Sequence, residues 1–283
     1  ANYETVVGHG GSTLGVGISR MNYKVKNALA PIGAEGQSTT VTLFGRVPIF
    51  HQTDRSLALR YGYNYRDLND DITAFNLEGR KHTNSIYAGV VGTQRTPGFS
   101  LDYSANVTLG RLDFDSFYSA VLGAVNHIDE GTYAKLEADA TAVQQIGQRT
   151  DFLVRVSGQK ASRNLDSSEE FYLGGPNGVR AYAQGEGSGD EGVLSTAELR
   201  WHTPVRGLTF STFYDAGTVR VNKSAIGGHN NVTLRGWGVG AAYSEPGDWF
   251  ARLDYARRIG TDASVAPQNN ARGRVWFQLG KIW

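Results

Sequence analysis

The stretch Phe171–Gly192, FYLGGPNGVRAYAQGEGSGDEG, decides how the rest of the chain is read. It is rich in glycine and lies between two strongly alternating segments, yet it is not composed like a disordered linker. Phe171, Tyr172, Leu173, Val179 and Tyr182 all gain from burial, and a single cation, Arg180, sits among them. Compact domains rarely hold an irregular connection longer than about 12–15 residues unless it is functional or disordered. Its glycines allow close packing against another surface. The segment reads as a plug or latch folded back into something larger.

Working outward, period-two alternation recurs along almost the whole chain, while helical periodicity is nearly absent. Leu57, Leu59, Tyr61, Tyr63 and Tyr65 interleave with Arg60, Gly62, Asn64 and Arg66. Leu136, Ala138 and Ala140 interleave with Lys135, Glu137 and Asp139, and Val154 and Val156 with Arg155 and Ser157. Leu199 and Trp201 alternate with Glu198 and Arg200, Leu253 and Tyr255 with Arg252 and Asp254, and Val275, Phe277 and Leu279 with Arg274, Trp276 and Gln278. One face is apolar and aromatic, and the other carries charge of both signs. Most of these segments run about 10–14 residues, whereas strands of globular proteins cluster near 5–6. Membrane strands need about 9–11.

The links between strands select between a sandwich and a barrel. Short links are expected at 8–12, 47–54, 94–98, 145–149, 203–207 and 245–248, and long ones at 26–36, 67–80, 111–130, 164–191, 222–231 and 260–271. This short–long alternation is the pattern of outer-membrane barrels, with tight periplasmic turns and long extracellular loops. The fold class expected is therefore all-β, a transmembrane antiparallel β-barrel with a long extracellular loop folded back into its lumen. Thirteen strands are expected, at 1–7, 13–25, 37–46, 55–66, 81–93, 99–110, 131–144, 150–163, 192–202, 208–221, 232–244, 249–259 and 272–283. Bacterial single-chain barrels have an even count, so thirteen implies either a count that is off by one strand or, more simply, further strands upstream of Ala1.

Composition fits this reading. The 283 residues include 36 Gly, 11% aromatics and only 7 Pro. With no cysteine there is neither a disulfide framework nor a thiolate metal site. A net charge of +1 argues against a nucleic-acid surface. No apolar run reaches the roughly 20 residues of a membrane helix.

FYLGGPNGVRAY with the GEGSGDEG run, the preceding ASRNLDSSEEF and the later FSTFYDAGTVRVNK together resemble the two-partner secretion transporters of the outer membrane (TpsB type), most closely the filamentous haemagglutinin transporter and haemolysin activator group. The resemblance runs from about Thr13 to the carboxyl end and is densest over 158–222. It implies a sixteen-strand barrel preceded by a plug helix and two POTRA domains, with the signature loop joining strands eleven and twelve. Here that loop joins the eighth and ninth expected strands. The offset of three places the POTRA domains, the plug helix and the first three strands upstream, leaving 1–283 as the carboxyl-terminal part of the barrel.

The same resemblance assigns the candidate site. Val179, Arg180, Ala181 and Tyr182 stand where the family has Val-Arg-Gly-Tyr, and Arg180 is implied to latch the loop tip to an acid on the inner wall. The matching acid is Asp215 in Phe213-Tyr214-Asp215-Ala216-Gly217. Parity agrees, because Leu208, Phe210, Thr212 and Tyr214 form one face and Asp215 falls on the other with Thr209 and Ser211. Ala181 departs from the family glycine, which matters if that position needs φ > 0. Gly174, Gly175, Pro176 and Gly178 are candidates for loop hinge and packing, as are Phe213 and Gly217 beside the acid. Gly236, Gly238, Gly240 and Ala242 make one smooth strand face. Phe277, Leu279 and Trp283 resemble the terminal signal by which barrel-assembly machinery recognises its clients, with Lys281 interrupting the alternation. Tyr23, Tyr65, Tyr87, Tyr243 and Trp249 are candidates for interfacial girdles.

No metal site, cofactor motif or catalytic constellation is expected: the six histidines are scattered and no G-x-S-x-G elbow occurs. The implied function is export, from periplasm to surface, of a large extended exoprotein such as an adhesin, a haemolysin or a contact-dependent toxin. The implied partners are that exoprotein, the barrel-assembly machinery during biogenesis and outer-membrane lipids, with no nucleic acid. The implied location is the outer membrane of a Gram-negative cell. The alternative is a barrel-assembly insertase of the same superfamily. A general porin fits less well, because the long loop comes too late in the chain.

Overall fold

The computed structural model describes residues 1–24, 34–72, 77–125, 127–224, 228, 230–245, 247–260 and 272–281. In chain order its strands are β1 (Asn2–Val7), β2 (Ser12–Lys24), β3 (Ala34–His51), β4 (Arg55–Ile72), β5 (Leu77–Thr96) and β6 (Phe99–Phe114). A helix α1 (Phe117–Val125) follows, then β7 (Gly131–Gly147), β8 (Thr150–Ala161), β9 (Phe171–Tyr172), β10 (Ser188–Gly189), β11 (Glu191–His202), β12 (Leu208–Arg220), β13 (Asn231–Ser244), β14 (Trp249–Arg258) and β15 (Gly273–Lys281). Thirteen of these form one antiparallel sheet in sequence order, and β9 and β10 pair separately within the loop. No helix among the described residues is long and apolar enough to cross a membrane.

The expected strands are all present, but several are longer than the apolar alternation suggests. β4 and β5 run to 18 and 20 residues. The link placed at 67–80 is therefore mostly ladder, and only 73–76 separates the two strands. Backbone pairing continues through Asp67–Ile72, facing Ala34–Thr39 of β3, where the side chains no longer alternate in polarity. At the opposite end the turns are tight: Pro97-Gly98 closes β5 onto β6, with Gly98 at φ 76. In the link placed at 111–130 the structure has α1, where sequence periodicity suggested none. Its start is capped by Ser116, whose Oγ accepts the Ser119 amide at 3.2 Å.

The chain divides into two compact units. The first holds residues 1–92, 104–137 and 161–166. In it, Leu43, Tyr61, Ile86 and Leu109 stand exposed on one sheet face, while Ala58, Thr83, Thr108 and Leu112 are buried on the other. The beginning of the long loop is tied down here. Lys81 reaches Asp166 at 2.7 Å and Asp70 at 3.3 Å, Asn164 donates to the His127 carbonyl at 2.9 Å, and Leu165 packs with Tyr133 and Ala161. Tyr87, expected in an interfacial girdle, instead lies against Gly62 on the inner face.

The second unit holds residues 93–103, 138–160 and 167–283. Val154, Leu199, Phe210, Trp237, Val239, Leu253 and Phe277 are exposed on one face of β8 and β11–β15. This apolar face spans six strands without interruption, far beyond the scattered exposed hydrophobics of a soluble surface. Tyr243 and Trp249 stand on it near the tight turns. Lys281, which breaks the apolar alternation, sits opposite Trp249 with its ammonium 5.2 Å from the ring centroid, as a cation at a wet boundary does. The other face is polar and receives the loop.

Candidate functional site

Antiparallel register brings residues far apart in sequence into lateral rows on the loop-facing side of β11–β15. One row runs Thr196, Asp215, Gly236, Arg258. The next runs Glu198, Phe213, Gly238, Ala256, Arg274, and the third Arg200, Ser211, Gly240, Asp254, Trp276. Glycine holds the β13 position of all three rows: the Phe213 ring lies over Gly238 and the Asp254 and Ser211 side chains over Gly240, while the space above Gly236 takes the loop.

The loop that packs above Gly236 is ordered by its own backbone. Leu173 N–H donates to Gly187 C=O and Gly174 N–H to Glu186 C=O, each at 2.9 Å, while Val179 N–H returns to Leu173 C=O at 2.7 Å. Gly175 takes φ 128, a conformation closed to most side chains, and Pro176 sits in the turn that follows. Gly174 and Gly178 allow the close approach of Ala183 and Leu173, and Gly217 on β12 leaves room for the Leu173 side chain. Leu173, Val179, Ala181 and Tyr182 are buried in one apolar cluster with Leu194, Phe213, Val219, Leu234 and Ala256 of the wall.

Arg180 points from this tip into the wall. Its Nε and Nη2 donate to the two oxygens of Asp215, each at 2.9 Å, and its backbone N–H donates to the same carboxylate at 3.1 Å. Nη1 donates to Glu198 at 3.1 Å and lies 3.8 Å from Asp254. The guanidinium carbon stands 3.2 Å from the centre of the Phe213 ring. Arg180 is 3% exposed and Asp215 0%. Asp215 is itself held by Thr196 Oγ1 at 2.9 Å, and Trp276 Nε1 donates to the Arg180 carbonyl at 2.7 Å. Burial works against the Arg180 charge, but the hydrogen-bonded charge of Asp215, then Glu198 and Asp254, outweighs it and raises its pKa. A fork of fixed donors matched to carboxylates is what arginine supplies and lysine does not.

The structure thus brings together Val179, Arg180, Ala181, Tyr182, Phe213 and Asp215. Ala181 has no positive φ, since His127 is the only non-glycine residue so placed among those described. Its methyl instead fills the space left by Gly236, where an ideal Cβ would stand 2.7 Å away. Phe277 and Leu279 are exposed on the apolar face, away from this site, and Trp283 lies outside the described residues, as does the side chain of Tyr23. Sequence reasoning placed Glu198 and Asp254 only in a general mixed-charge wall. It missed Trp276, and it missed the pair formed by Glu186 and Arg258. Parity shows that such residues face inward, but nothing local in the sequence shows which of them meets a loop 72 or 96 residues away. Among the described residues, no group of three or more His, Asp or Glu is placed to hold a metal ion.

Comparison with known proteins agrees with this architecture. The chain is 24% identical over its whole length to the heme/hemopexin transporter protein HuxB of Haemophilus influenzae, covering 51% of that protein. The chain therefore spans about half the length of the curated relatives it matches. Among solved structures it is similar to CdiB from Escherichia coli, with a TM-score of 0.71 at 17% identity over 95% of this chain and 49% of that one. CdiB from Acinetobacter baumannii gives 0.69 at 17% identity, over 95% of this chain and 47% of that one. The model of the haemolysin secretion/activation protein family ShlB/FhaC/HecB matches residues 2–243. The chain belongs to that family, and it is an outer-membrane β-barrel of the two-partner secretion transporter type.

Proposed function

We propose that this chain forms the wall and latch of an outer-membrane translocator that passes a large, extended exoprotein from the periplasm to the cell surface. The observation that carries the reading is the loop tip seated on the polar wall, with Arg180 buried against Asp215, Glu198 and Asp254. A charge cluster removed from water holds well only while every partner is in place, because losing one leaves the others buried and unpaired. Such a contact suits a plug with two positions, seated at rest and displaced during export. The mixed charges along the wall, among them Arg155, Arg200, Arg252 and Glu198, suit a wetted passage to which an unfolded chain does not adhere. Phe277 and Leu279 suit recognition by the assembly machinery, and the exposed apolar face suits lipid contact.

The test is secretion by the full-length transporter in cells, using the large exoprotein encoded beside it. Deletion is expected to abolish its release, and the wild-type gene to restore it. Arg180→Ala is expected to impair release while the barrel still inserts. Normal release by Arg180→Ala would sink the latch. Loss of other outer-membrane proteins, with release unaffected, would favour the insertase.

A further inference from the structure

The tip is held from both sides. Arg258, at the end of β14, lies in the same lateral row as Asp215 and Gly236 but points its charge the other way, from the wall into the loop. Its Nη2 donates to both oxygens of Glu186 at 3.2 Å, and its Nε donates to the Ala181 carbonyl at 3.3 Å. Its guanidinium carbon stands 4.3 Å over the Tyr182 ring. Glu186 is 5% exposed and also accepts the Ala183 amide at 2.9 Å, so its carboxylate closes the strand of chain just past the tip.

We infer that Arg258 is a second positioning residue of the plug, a wall-borne counterpart to Arg180, and that the tip leaves the wall only when both arginines lose their partners. The two contacts are reciprocal. Arg180 carries a loop cation into wall carboxylates, and Arg258 carries a wall cation onto a loop carboxylate, a loop carbonyl and a loop aromatic ring. Each fork keeps the tip in register for the other, because Ala181 and Tyr182 follow Arg180 directly in the chain. Removing either arginine alone loosens the tip, and removing both frees it. The inference deepens the translocator reading, yet the seating of the tip is measurable without any export.

Val179→Cys in the full-length transporter provides the probe. Val179 is fully buried, cysteine is smaller than valine, and these 283 residues hold no other thiol. Labelling with a membrane-impermeant maleimide on whole cells reads release of the tip. Against the slow wild-type rate, Arg258→Gln and Glu186→Gln are each expected to raise labelling roughly tenfold, the lower range for a lost charge-assisted hydrogen bond. Combining them should add little, since they break the same pair. Arg258→Lys, which keeps the charge but loses the fork, is expected to recover only part of the protection, and adding Arg180→Ala to Arg258→Gln should exceed either alone. Heat-modifiable gel mobility reports whether each barrel is folded. Labelling at the wild-type rate in folded Arg258→Gln, while Arg180→Ala raises it, would overturn the inference and leave the translocator reading standing. Faster labelling in all variants with undiminished export would uphold the second contact and count against the translocation role of the plug.

Discussion

Gly236→Ala isolates the seating of the tip from its charges. Gly236 lies opposite Asp215 in the sheet, and no positive φ constrains it, so alanine brings no backbone strain, and within the sheet its Cβ meets the Arg257 carbonyl at 3.2 Å. The obstacle is spatial. A Cβ built there stands 2.7 Å from the Ala181 Cβ, whereas carbon atoms sit at about 3.5–4.0 Å. Loop or strand must give by about 1 Å, and the opposing atom is a short, rigid methyl rather than the end of a flexible chain. A shift of that size in the residue following Arg180 would stretch its 2.9 Å bonds to Asp215 beyond the roughly 3.2 Å limit of a good hydrogen bond. Overpacking of this kind costs about 1–3 kcal/mol, which multiplies the displaced population by roughly five to one hundred and fifty. The chain supplies its own assay, since Arg180 is the only Lys or Arg between Arg163 and Arg200. Trypsin applied to purified transporter therefore cuts this segment at Arg180 alone, and only when it leaves the wall, at a rate that follows the displaced population. Faster cleavage is expected for Gly236→Ala, with recovery in Gly236→Ala/Ala181→Gly, which removes the opposing methyl. Unchanged cleavage in the single variant, or no recovery in the pair, would refute the seating argument.

Two further outcomes follow from the same geometry. Trp276→Phe keeps the ring but deletes the 2.7 Å donor to the Arg180 carbonyl, so tryptic cleavage at Arg180 should quicken by a few-fold, in line with a loss of about 1 kcal/mol, while thermal unfolding of the barrel barely moves. Leu253→Arg places a charge on the exposed apolar face and should cost about 2–4 kcal/mol if that position lies near the bilayer centre. Equilibrium unfolding in lipid vesicles should show this destabilisation, whereas the neighbouring Arg252 is already tolerated on the polar face, where its Nε reaches Asp254 at 2.8 Å.

The strands were legible because alternation has a period of two and membrane-length strands repeat it many times. Their ends were less so. β4 continues past Arg66 through Asp67–Ile72 on a backbone ladder whose side chains no longer alternate, so polarity leaves no mark of it. The helix α1 escaped notice because Phe117–Val125 is apolar on nearly every side, so no amphipathic stripe marks it, and Ser116 was its one local sign. In the site, Arg180 and Asp215 could be paired through a family resemblance supported by parity. Arg258 and Glu186 could not, since their contact depends on how the loop lies against Gly236 and the side chains around it. That placement is set by side-chain shape across three strands rather than by any local pattern.

The central claim, that an extended polypeptide passes along the polar wall, is tested most directly by site-specific photocrosslinking in cells. A photoreactive residue is placed at Ser211, on the loop-facing side of β12, or at its neighbour Thr212 on the opposite face, in full-length transporter whose exoprotein is stalled by a tightly folded carboxyl-terminal domain. The account predicts that the stalled exoprotein is captured from position 211 and not from 212. Capture from neither position, or capture of unfolded barrel proteins instead of the exoprotein, would contradict it.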